Sequence, residues 1–236
     1  MKTFNLTLFI YLCIGFMFFT VIGTLSHEFG HYLVAKSFGY PAKINYRSTY
    51  NSEGKLRILY DTIIKNYKKE YEADLAYPGK ENFDFEVAKY KTNHIFIILG
   101  GPIQTLLTSI IALIFVLINL DSFSNKNKLS FGKWIIVFLA LFSLRQPANF
   151  FTIILGYLNH GRLSNSDDEA KIDFHFGLPL LTTSIITSIL GVSVLAFIYF
   201  KIIPKQSRTA FMVAGLCGGV IGFSLWFYGL GKIVLP

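Results

Sequence analysis

Long apolar runs, separated by short polar stretches, dominate the hydropathy pattern of this chain. Five runs are long enough to cross the hydrocarbon core of a bilayer as helices. Lipid-exposed backbone must pair its polar groups internally, so each run is predicted to be helical. The expected fold is all-α and polytopic, in a single membrane-embedded domain over residues 1–236. The predicted spans are about residues 4–38, 94–120, 134–158, 178–203 and 211–235.

The only long polar stretch lies between the first two spans, at residues 40–93. Its first half alternates polar and apolar residues around Ser52-Glu53-Gly54-Lys55, which predicts a β-hairpin with its turn at these four residues. Its second half is polar and rich in tyrosine, and we expect an interfacial helix that lies on the membrane. A segment of about 50 residues is small for an independent domain.

Composition and charge agree with a membrane protein and exclude other classes. Hydrophobic residues make up 53% of the chain and charged residues only 15%, which argues against a soluble domain. The net charge of +8 comes mostly from Lys and Arg near span ends or in loops, where they meet anionic lipid headgroups. No basic stretch is dense enough to indicate nucleic acid. The lipid bilayer is therefore the expected partner of these cations.

Five spans distribute the loops between two faces of the membrane. Face A, defined as the side of the N-terminus, carries seven Lys and Arg residues, whereas the opposite face B carries fourteen. Because cytoplasmic loops hold the excess of these cations, face B is expected to be cytoplasmic. The protein is thus predicted to be a multi-pass integral membrane protein.

Three ionisable residues interrupt the first apolar run near its face B end, namely His27, Glu28 and His31. They form an H-E-x-x-H motif, in which two imidazoles four residues apart share one helix face and can bind one metal ion. Neutral imidazoles suit Zn²⁺, and Glu28 can act as a general base on a water molecule. The alternative is that both histidines lie in the interface and that Glu28 pairs with a lysine.

A catalytic zinc site needs a third protein ligand, because such sites commonly have three ligands and one open position. This ligand must come from face B or from the spans near it, and a polar cluster at residues 159–177 lies on that face. Ser166-x-x-Glu169 is also a capping box, so the cluster could simply begin an interfacial helix. The candidate ligands of the cluster are His160, Asp167, Asp168, Glu169, Asp173 and His175.

Three segments of the chain resemble the site-2 protease family of intramembrane zinc metalloproteases. HEFGHYLVAKSFGYP, from His27, is similar to the first family motif, and GGPIQT, residues 100–105, resembles a Gly-Pro feature of the next span. SDDEAKI, residues 166–172, looks like a divergent form of the third motif, which begins with a metal-binding Asp. The Ala-Lys-Ile tail implies that this Asp is Asp168, with Asp167 as the alternative.

The resemblance implies a zinc-dependent endopeptidase that cleaves peptide bonds in or near the transmembrane segments of a membrane protein or peptide substrate. Zn²⁺ would be held by His27, His31 and Asp168, and Glu28 would transfer the proton. Because Glu169 stands where the family has Gly, a non-proteolytic zinc-binding membrane protein with a binding or regulatory role is an alternative. A transporter with a zinc site is a third reading, against which the lack of an internal repeat argues.

Three polar residues within the second and third spans, Gln104, Arg145 and Asn149, are candidates for lining the cavity of the active site. An arginine in the middle of a span must have a partner. Arg145 either pairs with an acid or with carbonyls freed near Pro147, or it lines the cavity and there binds substrate backbone or stabilises developing charge. The sequence leaves both interpretations open.

Overall fold

The computed structural model describes residues 4–51, 53–124, 128–163 and 166–236. It is 81% helical. Within these ranges, five helical segments are long and apolar enough to cross a membrane. The predicted all-α polytopic fold is therefore confirmed.

The chain order alternates membrane helices with short extramembrane elements. The first two spans are α1 (Leu6–Ser37) and α3 (Lys80–Ile118), and the third span, Phe131–His160, consists of α5 and α6 joined by a 3₁₀ turn at Leu141–Leu144. The fourth span, Thr182–Ile202, contains α8, and the fifth, Lys205–Val234, contains α9 and α10. The remaining bounds are β1 Ala42–Ile44, β2 Thr49–Asn51, α2 Lys55–Glu72, α4 Leu120–Ser124, α5 Phe131–Ala140, α6 Arg145–His160, α7 Asp168–His175, α8 Thr182–Phe197, α9 Arg208–Leu225 and α10 Gly231–Val234.

Helix α1 has defined ends, and they fix the level of the H-E-x-x-H motif. At its start the Asn5 side chain accepts a hydrogen bond from the Leu8 N–H at 2.9 Å, which caps the helix. At its end Gly39 adopts a φ of +78°, and the Tyr40 N–H donates to the Ala35 carbonyl at 3.0 Å. This is a Schellman termination, which only glycine enters without strain. The motif therefore lies within the last three turns of α1, at the face B end.

The hairpin of the insert exists, but its predicted turn at Ser52-Glu53-Gly54-Lys55 is wrong. The strands pair antiparallel with Ala42 opposite Asn51, and the turn lies at residues 45–48. The Asn45 side-chain oxygen accepts from the N–H groups of Arg47 and Ser48 at 3.0 and 2.9 Å, so this Asx turn closes the hairpin earlier in the chain. Lys55 instead begins α2, and Ser52 lies outside the described residues.

The insert contains a helix, α2, but it begins at Lys55, covers the segment where the sequence predicted the second strand, and ends at Glu72, early in the half predicted to be helical. It packs on the beginning of α3 through a small apolar cluster of Leu56, Ile63, Tyr77 and Phe83. Helix α3 begins fourteen residues before the predicted start of the second span at His94. Its 39 residues correspond to about 58 Å of helix, roughly twice the hydrocarbon thickness of a bilayer. The beginning of α3 therefore extends beyond the membrane and supports α2. The placement of α2 on the membrane surface stays a prediction.

Helix α1 packs against both α3 and α9. The main apolar core surrounds its face A half and includes Leu12, Val116, Phe138 and Phe211. The buried polar residues of α1 lie instead in its face B half. The core thus holds α1 in place at one end, while the other end carries the candidate site.

Candidate metal centre

Two glycines bring α1 and α3 into backbone contact at the level of the motif. A Cβ atom built on Gly100 would lie 2.7 Å from the carbonyl oxygen of Gly30, closer than any real contact of this kind. Small residues at such a crossing let two membrane helices approach closely. His27 and His31 lie on either side of Gly30 along α1, and α3 buries both, with 1% and 8% of their surfaces exposed.

A carboxylate from a distant part of the sequence lies beside the two histidines. The Nε2 atoms of His27 and His31 lie 3.2 Å apart, and Oδ2 of Asp168 lies 3.1 Å from each of them. Asp168 is the first residue of α7, which packs against α3 and α8. The structure thus brings together the three residues that the sequence proposed as metal ligands.

The outer nitrogen of each imidazole has a partner that fixes its protonation. Nδ1 of His31 lies 2.6 Å from the Ile97 carbonyl, which can only accept, so this nitrogen carries the hydrogen. The Thr105 hydroxyl donates to the Gly101 carbonyl at 3.1 Å and therefore accepts from Nδ1 of His27 at 3.0 Å. When the imidazoles are neutral, both Nε2 atoms therefore present lone pairs.

With both imidazoles neutral, three lone-pair atoms converge on one point, which is unfavourable unless a proton or a metal ion lies between them. Their separations of 3.1 to 3.2 Å are close to the edge of about 3.3 to 3.4 Å expected for a tetrahedron with Zn–N distances near 2.0 to 2.1 Å. Ligand atoms of His27, Glu28 and His31 also lie within 4.8 Å of one another. Two imidazoles and one carboxylate are a donor set that fits Zn²⁺.

No protein-family model, curated protein or solved structure matches this chain. The resemblance to the site-2 protease family thus rests on the three sequence segments. The chemistry of the site is therefore inferred from its own residues.

The missing side chain of Gly101 provides the space in front of the two imidazoles. A Cβ atom at this position would lie 2.6 Å from Nε2 of His27 and would also overlap Nε2 of His31. Any other residue would thus fill the point on which the ligand atoms converge. This close approach explains the second glycine of GGPIQT.

Glu28 is buried beside the ligand atoms, with only 4% of its surface exposed. Its nearest cation is Arg145, whose Nη2 lies 3.8 Å from Oε1 of Glu28. The hydroxyl of Thr49, in β2, donates to the backbone carbonyl of Glu28 at 2.6 Å. This bond ties the hairpin to the motif.

The other two candidate cavity residues occupy different surroundings. Gln104 donates through Nε2 to the hydroxyl of Ser26 and, at 3.1 Å, to that of Thr108, so it links α3 to α1 beside the motif. Its Oε1 atom is buried without a partner among the described residues. Asn149 is half-buried on α6, one turn after Arg145 and on the same helix face.

Asp167, the alternative ligand, caps α7. Its Oδ2 accepts from the Ala170 N–H at 3.3 Å, so Asp167 replaces Ser166 of the predicted capping box as the N-cap residue. Asp167 also lines a cavity of about 730 Å³ together with His160 and Arg162. Its carboxylate is therefore engaged with the helix end, whereas the carboxylate of the next residue meets the histidines.

Glu169 is the buried acid that follows the candidate ligand. Only 2% of its surface is exposed, and its Oε1 has no partner in the described part of the chain. Burial raises the pKa of Glu169 to about 7, and the neighbouring Asp168 and Asp167 contribute to the increase. The carboxyl group is therefore partly neutral near neutral pH. Burial likewise raises the pKa of Asp167 above its usual range.

The residues that hold the imidazoles had no predicted role. Thr105 is the last residue of the GGPIQT segment, and its hydroxyl holds the ring of His27. The Ile97 carbonyl has no side-chain signal at all. The only sequence signal for a role of Thr105 is that it is a polar residue within a membrane span, one helical turn after a pair of glycines.

Proposed function

We propose that this protein is a zinc-dependent intramembrane endopeptidase in which His27, His31 and Asp168 hold the metal and Glu28 is the general base. The observation that carries the proposal is the convergence of three lone-pair atoms on one point beside a buried carboxylate. The motif similarity to site-2 proteases supports the same reading.

Each residue of the site has a defined task in this reaction. Zn²⁺ supplies a Lewis acid that polarises the scissile carbonyl and acidifies a water molecule. Glu28 accepts a proton from the attacking water and delivers it to the leaving amine as the C–N bond breaks. Thr105 and the Ile97 carbonyl hold the imidazole rings in the tautomer that leaves Nε2 free.

The position of the site defines the substrate class. The motif lies within a membrane span, so the substrate is a membrane protein or a membrane-bound peptide. A helical span bonds its own carbonyl groups, so the scissile segment must unwind before it reacts. The β-hairpin lies at the motif through the Thr49 bond, and the edge of such a sheet can pair with an extended segment.

Replacing Glu28 with glutamine is expected to keep the metal and remove activity, because the carboxylate acts as a base and is not a ligand. Loss of a general base lowers the rate by roughly 10²- to 10⁴-fold. Zinc in purified protein is measured by elemental analysis, and cleavage of transmembrane peptides in detergent by mass spectrometry. Equal cleavage by Glu28→Gln and the parent would contradict the proposal. Zinc binding with no Glu28-dependent cleavage would instead support the non-proteolytic alternative.

We also propose that face B, and with it the site, is on the cytoplasmic side, because face B carries fourteen cations and face A seven. In a background with Cys13 and Cys217 replaced by alanine, Asn66→Cys reports on face B and Lys128→Cys on face A; both positions are exposed. A membrane-impermeant thiol reagent added to intact cells is expected to label only Lys128→Cys. Labelling of Asn66→Cys alone would reverse the orientation.

A further inference from the structure

Arg145 is a cation in the middle of the membrane that donates no hydrogen bond to any residue that the structure describes. It lies fourteen residues from one end and fifteen from the other end of the span Phe131–His160. A guanidinium has five N–H donors, and Nε of Arg145 is buried without a partner among the described residues. Such a group is costly in the membrane interior unless something binds it.

The acids around Arg145 accept no hydrogen bond from its guanidinium in the described part of the structure. The nearest is Glu28, whose Oε1 lies 3.8 Å from Nη2, whereas a charge-assisted hydrogen bond is about 2.7 to 2.9 Å long. Glu169 interacts with Arg145 electrostatically but accepts no hydrogen bond from it. The guanidinium is therefore held near the site with its donors available.

The position of Arg145 also determines which acceptor can reach it. Each end of the span is more than about 20 Å away along the helix, so Arg145 lies far from both ends of its own span. About a quarter of the side chain, 24%, is exposed, and Nη2 is directed at Glu28 beside the metal ligands. A substrate held for attack there brings the oxygen of its scissile carbonyl to the same place.

We propose that Arg145 binds the substrate oxygen on which negative charge develops, and this inference rests on the proposed function. Water forms the new C–O bond as Glu28 takes one of its protons, the C=O π electrons move to the oxygen, and Arg145 donates hydrogen bonds to that oxyanion without losing a proton. The oxyanion then re-forms the C=O bond as the C–N bond breaks, and Glu28 gives its proton to the leaving amine. A preorganised donor of this kind contributes roughly 10²- to 10³-fold to kcat.

The inference predicts an anion site beside the metal that can be measured without catalysis. The probe is methylphosphonate, a tetrahedral oxyanion, added to protein loaded with Co²⁺ and followed through the visible absorption of the metal. Arg145→Gln is expected to weaken methylphosphonate binding at least tenfold at unchanged Co²⁺ affinity. Arg145→Lys should bind with intermediate affinity, because lysine keeps the charge but lacks the planar pair of donors.

The chain offers a matched control for charge. Lys171 lies 3.8 Å from Oδ1 of Asp168, the same separation as between Arg145 and Glu28, but its side chain is 43% exposed. Lys171→Gln removes one positive charge near the site and is expected to change methylphosphonate affinity less than about twofold, because exposed charges are screened. If Lys171→Gln and Arg145→Gln lose methylphosphonate affinity equally, the effect comes from the positive charge near the site in general and not from Arg145. That result would overturn the proposal.

A measurement on the parent protein covers the case in which Arg145→Gln does not fold. Methylphosphonate is expected to slow the modification of Arg145 by phenylglyoxal, with the exposed Arg57 as internal reference. No protection of Arg145 would overturn the inference.

Failure of this inference and failure of the proposed function give different results. If protease activity depends on Glu28 but Arg145→Gln keeps the kcat and the methylphosphonate affinity of the parent, this inference alone is wrong. If the protein cleaves nothing but binds methylphosphonate through Arg145, the protease function alone is wrong. In an active protein, Arg145→Gln should lower kcat far more than it changes KM.

Discussion

Replacing Gly101 with alanine is expected to abolish zinc binding, although it adds a single methyl group. The added Cβ would lie 2.6 Å from Nε2 of His27 and would overlap Nε2 of His31, at the point where the ligand atoms converge. The imidazoles cannot retreat, because Thr105 and the Ile97 carbonyl hold their outer nitrogens. Elemental analysis should therefore find about one zinc per chain in the parent and almost none in Gly101→Ala.

A second glycine in a membrane helix provides the control for this substitution. Gly219 lies in α9, and a Cβ atom there would meet no atom of the described residues within 4 Å. Gly219→Ala is expected to keep the zinc content of the parent, since alanine also favours the helix. Full zinc content in Gly101→Ala would show that the metal, if bound, lies elsewhere.

Replacing Asp168 with alanine is expected to weaken zinc binding by tenfold or more, an order of magnitude taken from losses in the ligand shell. The substitution removes the oxygen that lies 3.1 Å from both Nε2 atoms and leaves two ligands in place of three. Affinity is measured by competition with a chelator of known strength, and His27→Ala and His31→Ala should show comparable losses.

The neighbours of Asp168 test the assignment at the level of single residues. Asp167→Ala removes the cap of α7, which costs about 1 kcal/mol of helix stability but no ligand, so zinc affinity should change little. Glu169→Ala should likewise leave the metal in place. Parent affinity in Asp168→Ala would exclude this ligand, and a loss in Asp167→Ala alone would move the assignment by one residue.

The sequence by itself determined the membrane fold and the local part of the site. The five spans follow from apolar runs, because a lipid-exposed backbone can satisfy its polar groups only as a helix. The pairing of His27 with His31 follows from helical periodicity, since residues four apart share one face. Both inferences depend on interactions within about one helical turn, which a sequence pattern records directly.

The turn of the hairpin was beyond this local pattern. Alternation of polar and apolar residues predicted strands. The turn lies at Asn45 and not at Gly54, because the Asn45 side chain accepts hydrogen bonds from the N–H groups that follow it and because α2 begins directly after Gly54. Likewise, α3 begins well before its apolar run, because α2 covers the polar first turns and stabilises them as helix.

Only the tertiary structure decided which residues from distant parts of the chain meet. Asp168 lies 137 residues after His31, and only the family resemblance distinguished it from the adjacent Asp167 and Glu169 before the structure placed its Oδ2 3.1 Å from Nε2 of His31. The role of Gly101 and the open donors of Arg145 depend in the same way on how α3 and α6 pack beside α1. Such contacts arise from the relative rotation and depth of separate helices, and no periodicity within one helix encodes either quantity.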